Sequence, residues 1–453
     1  MLHDSKTIIA LATAPLAAGV AILRLSGPHA IEALQAVGIT KDLKPRYAHY
    51  CTLKGAQGEE IDQVLVLSFQ GPNSFTGEDV VEIHCHGGIA VIEKIMATLC
   101  THEHVRPAIQ GEFSRRGFMN GKMSLLQAEG IADIVASETE QQRKQALLQL
   151  KGESTSLFEG WRNDILNMLA HVEAAIDFPD EEIDVLEDAG IKQKIKAMHS
   201  TLTSALSNNF GERVRDGFTL SIVGKPNAGK STLLNLLTGE DTAIVSSIAG
   251  TTRDVVEKRL NIGGFPVTIA DTAGIRETED EIERIGVEKA EARISSADLI
   301  IAVVAADNMD LSILDKIPDH KKDKLLTVFS KKDQATDVAL PKTGISIFEN
   351  LTQKKALPAI TKELESMIQK EYSSHMNSQL ITRERHRKAA ELAVTHIERA
   401  LSILQNASEA RYSLSDLIAQ DLREAAHSIG DITGKTGSED VLDVVFSSFC
   451  IGK

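Results

Sequence analysis

The spacing of apolar residues changes along the chain and divides it into regions of different predicted structure. Up to about residue 120, short alternating segments bounded by Gly, Pro and Asn predict strands at GVAILRLSG, QVLVLSFQ and VVEIHCHG. A helix is predicted in the same region, from Ile89 to Leu99. Between Gly121 and Arg215, apolar residues recur with a period of roughly 3.6, which predicts helices. The clearest of these stripes consists of Leu125, Ala128, Ile131, Ile134 and Val135.

A second change of pattern predicts an inserted domain. Strand-like and helix-like segments alternate from Phe218 to about Glu365, which is typical of βαβ units on a parallel sheet. After Ser373 the helical pattern resumes, with one predicted apolar stripe on Ala389, Leu392, Ala393, Ile397, Ala400, Leu401 and Leu404. The simplest architecture is an α+β head followed by a mostly α domain that an α/β domain interrupts. The predicted boundaries, in chain order, are 1–120, 121–216, 217–374 and 375–453.

Length and composition agree with this multidomain fold. At ~100–200 residues per domain, 453 residues correspond to about three domains. The 42% of hydrophobic residues is ordinary for a soluble globular protein, and no segment approaches the ~20 apolar residues of a membrane span. The apolar N-terminal run leads directly into a strand-like segment, so we do not expect a signal peptide.

Cysteine usage and net charge limit the compartment and the partners. Cys51, Cys85, Cys100 and Cys450 form no CxxC pair and no disulfide framework, which favours a reducing cytoplasm. The net charge of −15 opposes binding to nucleic acid, which usually requires a basic excess. An RNA would therefore need local basic clusters or the help of another protein.

The strongest chemical signal is GKPNAGKS, Gly224–Ser231, between a predicted strand and a predicted helix. It fits the G-x-x-x-x-G-K-[ST] phosphate loop. Its glycines let backbone N–H groups and the helix N-terminus face phosphates, Lys230 would neutralise the β- and γ-phosphates, and the Ser231 hydroxyl would reach Mg²⁺. A glycine-containing turn that fits by chance is the alternative, and the flanking strand and helix argue against it.

Further segments follow in the order expected of a GTPase. Thr252 in AGTTRD could complete the Mg²⁺ shell, and DTAG places Asp271 to hold Mg²⁺ through water and Gly274 to sense the γ-phosphate. In SKKD, the Asp333 carboxylate can accept hydrogen bonds from guanine N1–H and the exocyclic amine, which adenine cannot offer. Ser330 departs from the usual Asn-Lys-x-Asp and loses an amide contact, so we expect weakened guanine affinity.

Hydrolysis needs a source of charge and of water positioning. Ile275 is apolar where Ras-like switches carry a water-orienting Gln. Asn227 is a candidate ligand for a monovalent cation that would replace the charge of an arginine finger. Glu283 could act through a water, although the acids around it also fit a solvated helix face.

Several runs together resemble the MnmE/TrmE family of tRNA uridine-5-carboxymethylaminomethyl modification GTPases, within the TrmE-Era-EngA-YihA-Septin-like GTPases. The runs are SFTGEDVVEIHCHGG, GEFSRRGFMNGKMSLLQAEGIAD, GKPNAGKSTLLN, IAGTTRDV, DTAGIRETEDEIERIG and FSSFCIGK. The resemblance implies a multidomain fold with an α+β N-terminal tetrahydrofolate-binding domain, a mostly α central domain and an inserted Ras-like α/β P-loop GTPase domain. It also implies that a 5-formyl- or methylene-tetrahydrofolate is held by Arg24, Glu82, Lys122 and Lys453.

The resemblance further assigns roles in the GTPase domain and at the C-terminus. Glu283 matches the catalytic glutamate of the family, and Cys450 matches the cysteine of its C-terminal Cys-x-Gly-Lys, as a nucleophile or a packed thiol. The implied K⁺ ligands are Asn227, Ser246, Ile248 and Thr251, and the implied Mg²⁺ ligands are Ser231 and Thr252. The implied GTP-binding residues are Asn227, Ala228, Gly229, Lys230, Ser231, Thr232, Ser246, Ser247, Ile248, Ala249, Gly250, Thr251, Thr252, Asp271, Thr272, Ala273, Gly274, Lys331 and Asp333.

The implied partners are a second copy of the chain, the FAD-containing flavoprotein MnmG (GidA) and tRNA. The basic run RERHRK, Arg383–Lys388, could meet tRNA or form a solvated charged face. Two departures from the family pattern are PLAAG, Pro15–Gly19, and LPKTG, Leu340–Gly344. Two other functions compete with a folate-coupled tRNA-modifying GTPase: a ribosome-associated or other switch GTPase, and a folate protein with a degenerate nucleotide domain.

Overall fold

Two six-stranded sheets organise the residues that the structure describes. The structure is a computed structural model. It describes residues 6–177, 190–239, 258–269, 294–331, 345–348, 350–351, 355–374, 380–406, 411–436, 439–447, 449 and 451–452. The first unit comprises Met1–Ala132, Gln149–Leu169 and Leu422–Lys453, and the second comprises Asp133–Leu148 and Ala170–Asp421.

The sheet of the first unit confirms the strands that the sequence predicted. Its strands are β1 (Thr7–Leu11), β2 (Ala18–Ser26), β3 (His49–Lys54), β4 (Glu60–Phe69), β5 (Val80–Gly87) and β6 (Val105–Pro107). They lie in the order β3-β4-β5-β2-β1-β6. Neighbours are antiparallel, apart from the parallel pair β1 and β6. Strands β1, β3 and β6 were not among the predicted ones.

The helices confirm the predictions for Ile89–Leu99 and for the run that begins at Leu125, although Val135, a member of that predicted stripe, is 50% exposed. They are α1 (Ile89–Leu99), α2 (Glu112–Met119), α3 (Leu125–Ala136), α4 (Glu140–Leu150), α5 (Glu153–Asp177), α6 (Ile191–Leu206), α7 (Phe210–Asp216), α8 (Lys230–Leu237), α9 (Ser312–Asp315), α10 (Ala356–Ser374), α11 (Glu384–Asn406), α12 (Arg411–Thr433) and α13 (Glu439–Ser447). Short 3₁₀ helices cover Glu32–Val37 and Asp319–Lys324. Of the described helices, not one combines the length and apolar character of a membrane span.

The first sheet buries apolar side chains on both of its faces. Ile9 of β1 and Leu23 of β2 pack into the larger core, to which α1 contributes. Ile8 faces the other way and packs with Phe113 of α2. Because side chains alternate along a strand, Arg24 lies on the Phe113 side of the sheet, opposite to Leu23. The guanidinium of Arg24 accordingly lies 5.9 Å from the Phe113 ring centroid.

The sheet of the second unit has the parallel character that the sequence predicted. Its strands are β7 (Phe218–Val223), β8 (Lys258–Ile262), β9 (Phe265–Ile269), β10 (Leu299–Ala305), β11 (Leu325–Ser330) and β12 (Ile345–Phe348). They lie in the order β12-β11-β10-β7-β9-β8. Neighbours are parallel, apart from the antiparallel pair β8 and β9.

The register of this sheet determines where a ligand would bind. Val223 pairs with Ala302, and Ala305 pairs with Ser330, so β7, β10 and β11 all end at the same edge. Open parallel sheets bind ligands at the carboxyl ends of their strands, where the chain passes to either side of a central strand. The loop after β7, between its neighbours β10 and β9, is therefore the expected position of a ligand site.

Helix α11 packs against α6 through part of the predicted stripe, since Ala393, Ile397 and Ala400 are buried as predicted. Its buried apolar residues are Ala390, Ala393, Ile397 and Ala400. Leu392, which the sequence placed in the stripe, is 51% exposed. The alternating three- and four-residue spacing is typical of a narrow helix–helix seam, and positions beside such a seam remain at the surface.

Candidate functional site

The loop between β7 and α8 has the tight path of a phosphate loop. A Cβ on Gly224 would lie 2.4 Å from the carbonyl oxygen of Val303, so only glycine fits there. Gly229 has φ 99° and Asn227 has φ 59°, both in the left-handed region. Gly and Asn adopt that region more readily than other residues do. The predicted strand–loop–helix arrangement is thus confirmed.

Lys230, the first residue of α8, faces the inside of this loop. Its ammonium donates hydrogen bonds to the carbonyl oxygens of Gly224, at 2.9 Å, and Lys225, at 2.8 Å. Burial lowers the pKa of Lys230, because the charged form loses solvation. A phosphate at the loop would compensate for that loss, so the position is suited to an anion.

The other loop residues offer oxygen ligands. Ser231 and Thr232 lie exposed in the first turn of α8, and Asn227 is exposed in the loop. Hydroxyl and carbonyl oxygens are the ligand type that Mg²⁺ and other hard cations prefer. The exposed positions of Ser231 and Asn227 are therefore compatible with their predicted roles as ligands of Mg²⁺ and K⁺, and these roles stay predictions.

Two acidic residues after β10 hold lysines of the nucleotide site. Lys331, a predicted GTP-binding residue with φ 55°, places its Nζ 2.9 Å from an oxygen of Asp307. Lys225 in the phosphate loop forms an ion pair with Asp310. Sequence reasoning missed both acids. The signal that could have found them is their position just after a strand that ends at the same edge.

Ser330, where the chain departs from the usual asparagine, ends β11 and is 2% exposed. Its hydroxyl donates a hydrogen bond to the carbonyl oxygen of Ala228, at 2.6 Å. Ala228 belongs to the phosphate loop and is itself 3% exposed. The side chain of Ser330 is thus directed toward the loop that would bind phosphates.

The remaining predicted residues of the nucleotide and C-terminal sites lie outside the described ranges. They are Ser246, Ser247, Ile248, Ala249, Gly250, Thr251, Thr252, Asp271, Thr272, Ala273, Gly274, Glu283, Asp333, Cys450 and Lys453. Their roles stay predictions. Among the described cysteines, Cys85 is buried, and burial together with the nearby Asp62 charge raises its pKa to about 11. Cys85 is therefore a poor nucleophile near neutral pH.

A second candidate site lies on the first sheet. Arg24 of β2 and Glu82 of β5 are register partners, and their side chains form an ion pair of 2.9 Å. His84 Nε2 lies 3.4 Å from the other oxygen of Glu82. The guanidinium of Arg24 lies 5.5 Å from the ring centroid of Phe75. The strands therefore bring Arg24 and Glu82 together, half-buried beside an aromatic ring.

Lys122 approaches the same loop from another direction. Its ammonium donates a 2.7 Å hydrogen bond to the carbonyl oxygen of Pro72. Pro72 and Phe75 belong to one loop, between β4 and β5, so this loop contacts both Lys122 and Arg24. A cation pair, a carboxylate and an aromatic ring suit a ligand that has an anionic tail and a polar ring edge.

An ionic network that sequence reasoning did not assign supports this part of the first unit. Arg116 bonds to Glu78 and to Glu112, each at 3.1 Å, and Arg106 bonds to Glu112 at 2.7 Å. Ser26, at the end of β2, donates a 2.7 Å hydrogen bond to Glu78. The run GEFSRRG carries two of these charges, and its mixed signs were the available signal.

The basic run at the start of α11 proves to be largely internal to the second unit. Arg383 pairs with Asp133 at 2.7 Å, and Arg387 pairs with Glu212 at 3.0 Å. Both arginine side chains are only 16% exposed. Neither the interpretation as a solvated face nor the one as an anion-binding cluster fits these two residues, because carboxylates already neutralise them.

Comparison with known proteins covers nearly the whole chain. The family model for the MnmE helical domain matches residues 125–450, and that for the GTP-binding protein TrmE N-terminus matches residues 7–122. A G-domain structure, from the T. maritima FeoB iron transporter, aligns at 21% identity over 33% of this chain and 98% of that chain, with a TM-score of 0.23.

Full-length relatives carry one description. The tRNA modification GTPase MnmE of Parvibaculum lavamentivorans is 43% identical over 99% of this chain and 100% of its own length. The proteins of the same description from Rhodospirillum rubrum and Shewanella sediminis are 42% and 41% identical over 99% of this chain, and over 99% and 100% of their own lengths. These matches confirm the predicted resemblance and fold class, and the chain belongs to the MnmE (TrmE) family of tRNA modification GTPases.

Proposed function

We propose that this GTPase is activated by K⁺ and acts with the flavoprotein MnmG to modify certain tRNAs. The product would carry a carboxymethylaminomethyl (aminomethyl) group at C5 of the wobble uridine, with a one-carbon tetrahydrofolate as cosubstrate. The observation that carries the proposal is the phosphate loop at the carboxyl edge of the second sheet, with Lys230 bonded to backbone carbonyls. This GTPase activity is the step on which the rest depends.

In the proposed hydrolysis, Lys230 neutralises the β- and γ-phosphates, and Ser231 and Thr252 hold Mg²⁺, with Asp271 acting through water. Asn227 would bind K⁺ together with Ser246, Ile248 and Thr251. Bound cations supply positive charge where charge develops during phosphoryl transfer. Glu283 would orient the attacking water. Asn227 supports this proposal because its exposed amide lies in the loop itself.

In the proposed folate site, Arg24 and Lys122 bind the anionic tail, and Glu82 accepts hydrogen bonds from the pterin. Lys453 would reach the site from the C-terminus. The ion pair of Arg24 and Glu82 beside Phe75 supports this assignment, since it presents both charges on one face of the sheet. The bound tetrahydrofolate would supply the one-carbon unit. Cys450 would then act as the nucleophile toward the uridine.

The proposal includes an assembly and a domain arrangement. The chain would form a homodimer through residues 1–120 and a heteromeric complex with MnmG in the cytoplasm, where tRNA is the substrate. The helical domain would combine residues 121–216 and 375–453, and the GTPase domain would span residues 217–374. A switch GTPase without folate chemistry is the alternative, and failure to bind 5-formyltetrahydrofolate would favour it.

The first test is GTP hydrolysis by the full chain in KCl and in NaCl at equal ionic strength, with ATP as a second substrate. We expect faster hydrolysis in KCl, and little hydrolysis of ATP. The Asn227→Ala variant should lose the stimulation by K⁺, whereas Asn163→Ala, at an exposed position of α5, should keep it. Equal rates in both salts would contradict the cation assignment, and equal rates with ATP would contradict guanine selectivity.

A further inference from the structure

The hydroxyl of Ser330 forms a hydrogen bond with the phosphate loop. It donates to the carbonyl oxygen of Ala228 at 2.6 Å, and the next acceptor, the carbonyl oxygen of Val304, is 3.5 Å away. A serine hydroxyl has one proton to donate. At these distances the proton belongs to the bond with Ala228, and none remains for an acceptor on a bound base.

Ser330 is itself fixed at the edge of the sheet. Its backbone oxygen accepts a 3.0 Å hydrogen bond from the N–H of Ala306, just after β10. Its side chain also fills the space below Gly229, because a Cβ on that glycine would lie 3.3 Å from both Cβ and Oγ of Ser330. The residue therefore supports the loop by packing as well as by hydrogen bonding.

The segment that Ser330 contacts is the part of the phosphate loop with left-handed backbone conformations. Ala228 lies between Asn227, with φ 59°, and Gly229, with φ 99°. Left-handed conformations of this kind have to be stabilised by their surroundings. The hydrogen bond to the carbonyl of Ala228 fixes the orientation of the peptide between Ala228 and Gly229. The N–H of this peptide lies directly before the first residue of α8. The tether thus pre-organises the phosphate-binding backbone.

We propose that Ser330 is a positioning residue for the phosphate loop and does not read the guanine base. The usual asparagine has two donor hydrogens and an acceptor, so it can serve a loop and a base together. This serine serves the loop alone. The N7 and O6 acceptors of guanine then receive no hydrogen bond from residue 330. The inference rests on the nucleotide site of the proposed function.

The test compares ligands that separate phosphate from base. Affinities of the full chain for GDP and for inorganic pyrophosphate are measured by calorimetry, directly or by competition. Ser330→Ala should weaken both ligands by the same factor, roughly 3- to 30-fold, because the loop loses the hydrogen bond that holds it in its phosphate-binding conformation. Ser221→Ala removes a serine that is also 2% exposed, on β7, and should change neither affinity.

A second measurement needs no variant. The unmodified chain should bind 7-deaza-GDP as tightly as GDP, within about twofold, since no donor at position 330 meets N7. The proposal is overturned if Ser330→Ala weakens GDP and leaves pyrophosphate unchanged, or if 7-deaza-GDP binds at least tenfold more weakly than GDP. Absence of GDP binding by the unmodified chain would instead contradict the nucleotide site itself, so the two failures are distinguishable.

Discussion

The phosphate loop and the start of α11 are both basic segments, and the structure surrounds one cation of each, Lys230 and Arg387, differently. The ammonium of Lys230 bonds to two backbone carbonyls, those of Gly224 and Lys225. The guanidinium of Arg387 also bonds to two backbone carbonyls, those of Leu206 and Asn208, but in addition it bonds to both oxygens of Glu212, at 3.0 and 3.1 Å. A carbonyl carries a dipole and no net charge, whereas a carboxylate cancels the cation. The first cation is therefore prepared for an anionic ligand and the second is not.

The difference between the surroundings of Lys230 and Arg387 indicates which basic sequences predict an anion-binding site. Sequence identifies the loop because its glycines and its position before a helix dictate a backbone whose N–H groups can face an anion. The run RERHRK dictates no such backbone. Its surroundings depend on acids elsewhere in the fold, such as Asp133 and Glu212, and these consume the charge.

The largest expected effect comes from breaking the internal pair. Arg387→Met leaves Glu212, which is 15% exposed, without its cation, and loss of one partner of a buried pair costs about 3–5 kcal/mol. Urea unfolding followed by far-UV circular dichroism would measure this loss. Lys388→Met, one residue later and 70% exposed, is the control and should change stability by less than about 0.5 kcal/mol. Weaker tRNA binding at unchanged stability would contradict the structural role.

The opposite result is expected at the phosphate loop. Lys230→Ala should lower kcat for GTP about 10²–10³-fold, because it removes a charge aimed at the transferred phosphoryl group. Stability should not fall, since the variant also removes a partly buried cation whose pKa burial lowers. Steady-state hydrolysis and thermal unfolding measure the two properties. Lys362→Ala, on an exposed position of α10, is the matched control. Reduced stability with unaltered kcat would reverse the assignment.

Arg24 represents an intermediate case, a paired cation at a candidate ligand site. Arg24→Ala and Glu82→Gln should each weaken 5-formyltetrahydrofolate binding about 10- to 100-fold, the value of a hydrogen bond to a charged group. GTP hydrolysis should be unaffected. Lys54→Ala, at an exposed position of β3, is the control. Unchanged folate affinity in both variants, measured by calorimetry, would exclude this face as the folate site.

Features that depend on residues close together in the sequence could be predicted, and features that depend on residues far apart could not. The phosphate loop, the parallel sheet and the positions of Arg24 and Glu82 on strands depend on local patterns, and all were predictable. The bond between Ser330 and Ala228 joins residues 102 apart, and that between Arg387 and Glu212 joins residues 175 apart. Local spacing carries no information about such pairs, so the role of Ser330 and the neutralised arginines emerged only with the fold.

The predicted apolar stripe of α11 was too wide for a related reason. A stripe of apolar residues identifies a helical face, but its width depends on the neighbour. The partner α6 buries Ala393 and Ile397, while Leu392 remains 51% exposed. The sequence does not indicate whether a single helix such as α6 or a broad core covers the apolar face of α11.

Glu112 tests how pairing and burial act on a carboxylate of the first unit. Burial alone would raise its pKa, but hydrogen bonds from Arg106 and from the N–H of Ile109, with the charge of Arg116, hold the pKa of Glu112 below its ordinary value. A lowered pKa in the folded state gives stability that is complete above the unfolded value of about 4.3 and is lost as pH falls through the folded pKa.

Glu112→Gln should therefore lower stability at pH 7 and flatten the loss of stability between about pH 5 and pH 3. Urea unfolding monitored by the fluorescence of Trp161, the single tryptophan, reports on this unit because Trp161 lies in it and is 6% exposed. Glu93→Gln, at an exposed position of α1, is the control. If the free energy of unfolding of Glu112→Gln fell with decreasing pH as steeply as that of the unmodified chain, the ionic origin of this stability would be contradicted.

The smallest effect is expected where the cation of an ion pair is exposed. Arg259 of β8 lies 3.2 Å from Glu138, and the arginine side chain is 48% exposed. Water already solvates such a cation, so Arg259→Ala should cost only about 0.2–1 kcal/mol, and 1 M salt should remove most of this difference. Urea unfolding of the variant at low and high salt measures both values. Arg387 and Arg259 each face one glutamate at nearly the same distance, and Arg387 also donates to the backbone carbonyls of Leu206 and Asn208. A loss at Arg259 comparable to that at Arg387 would mean that pairing, and not burial, determines the cost, and the contrast between the two basic segments would then lose its physical basis.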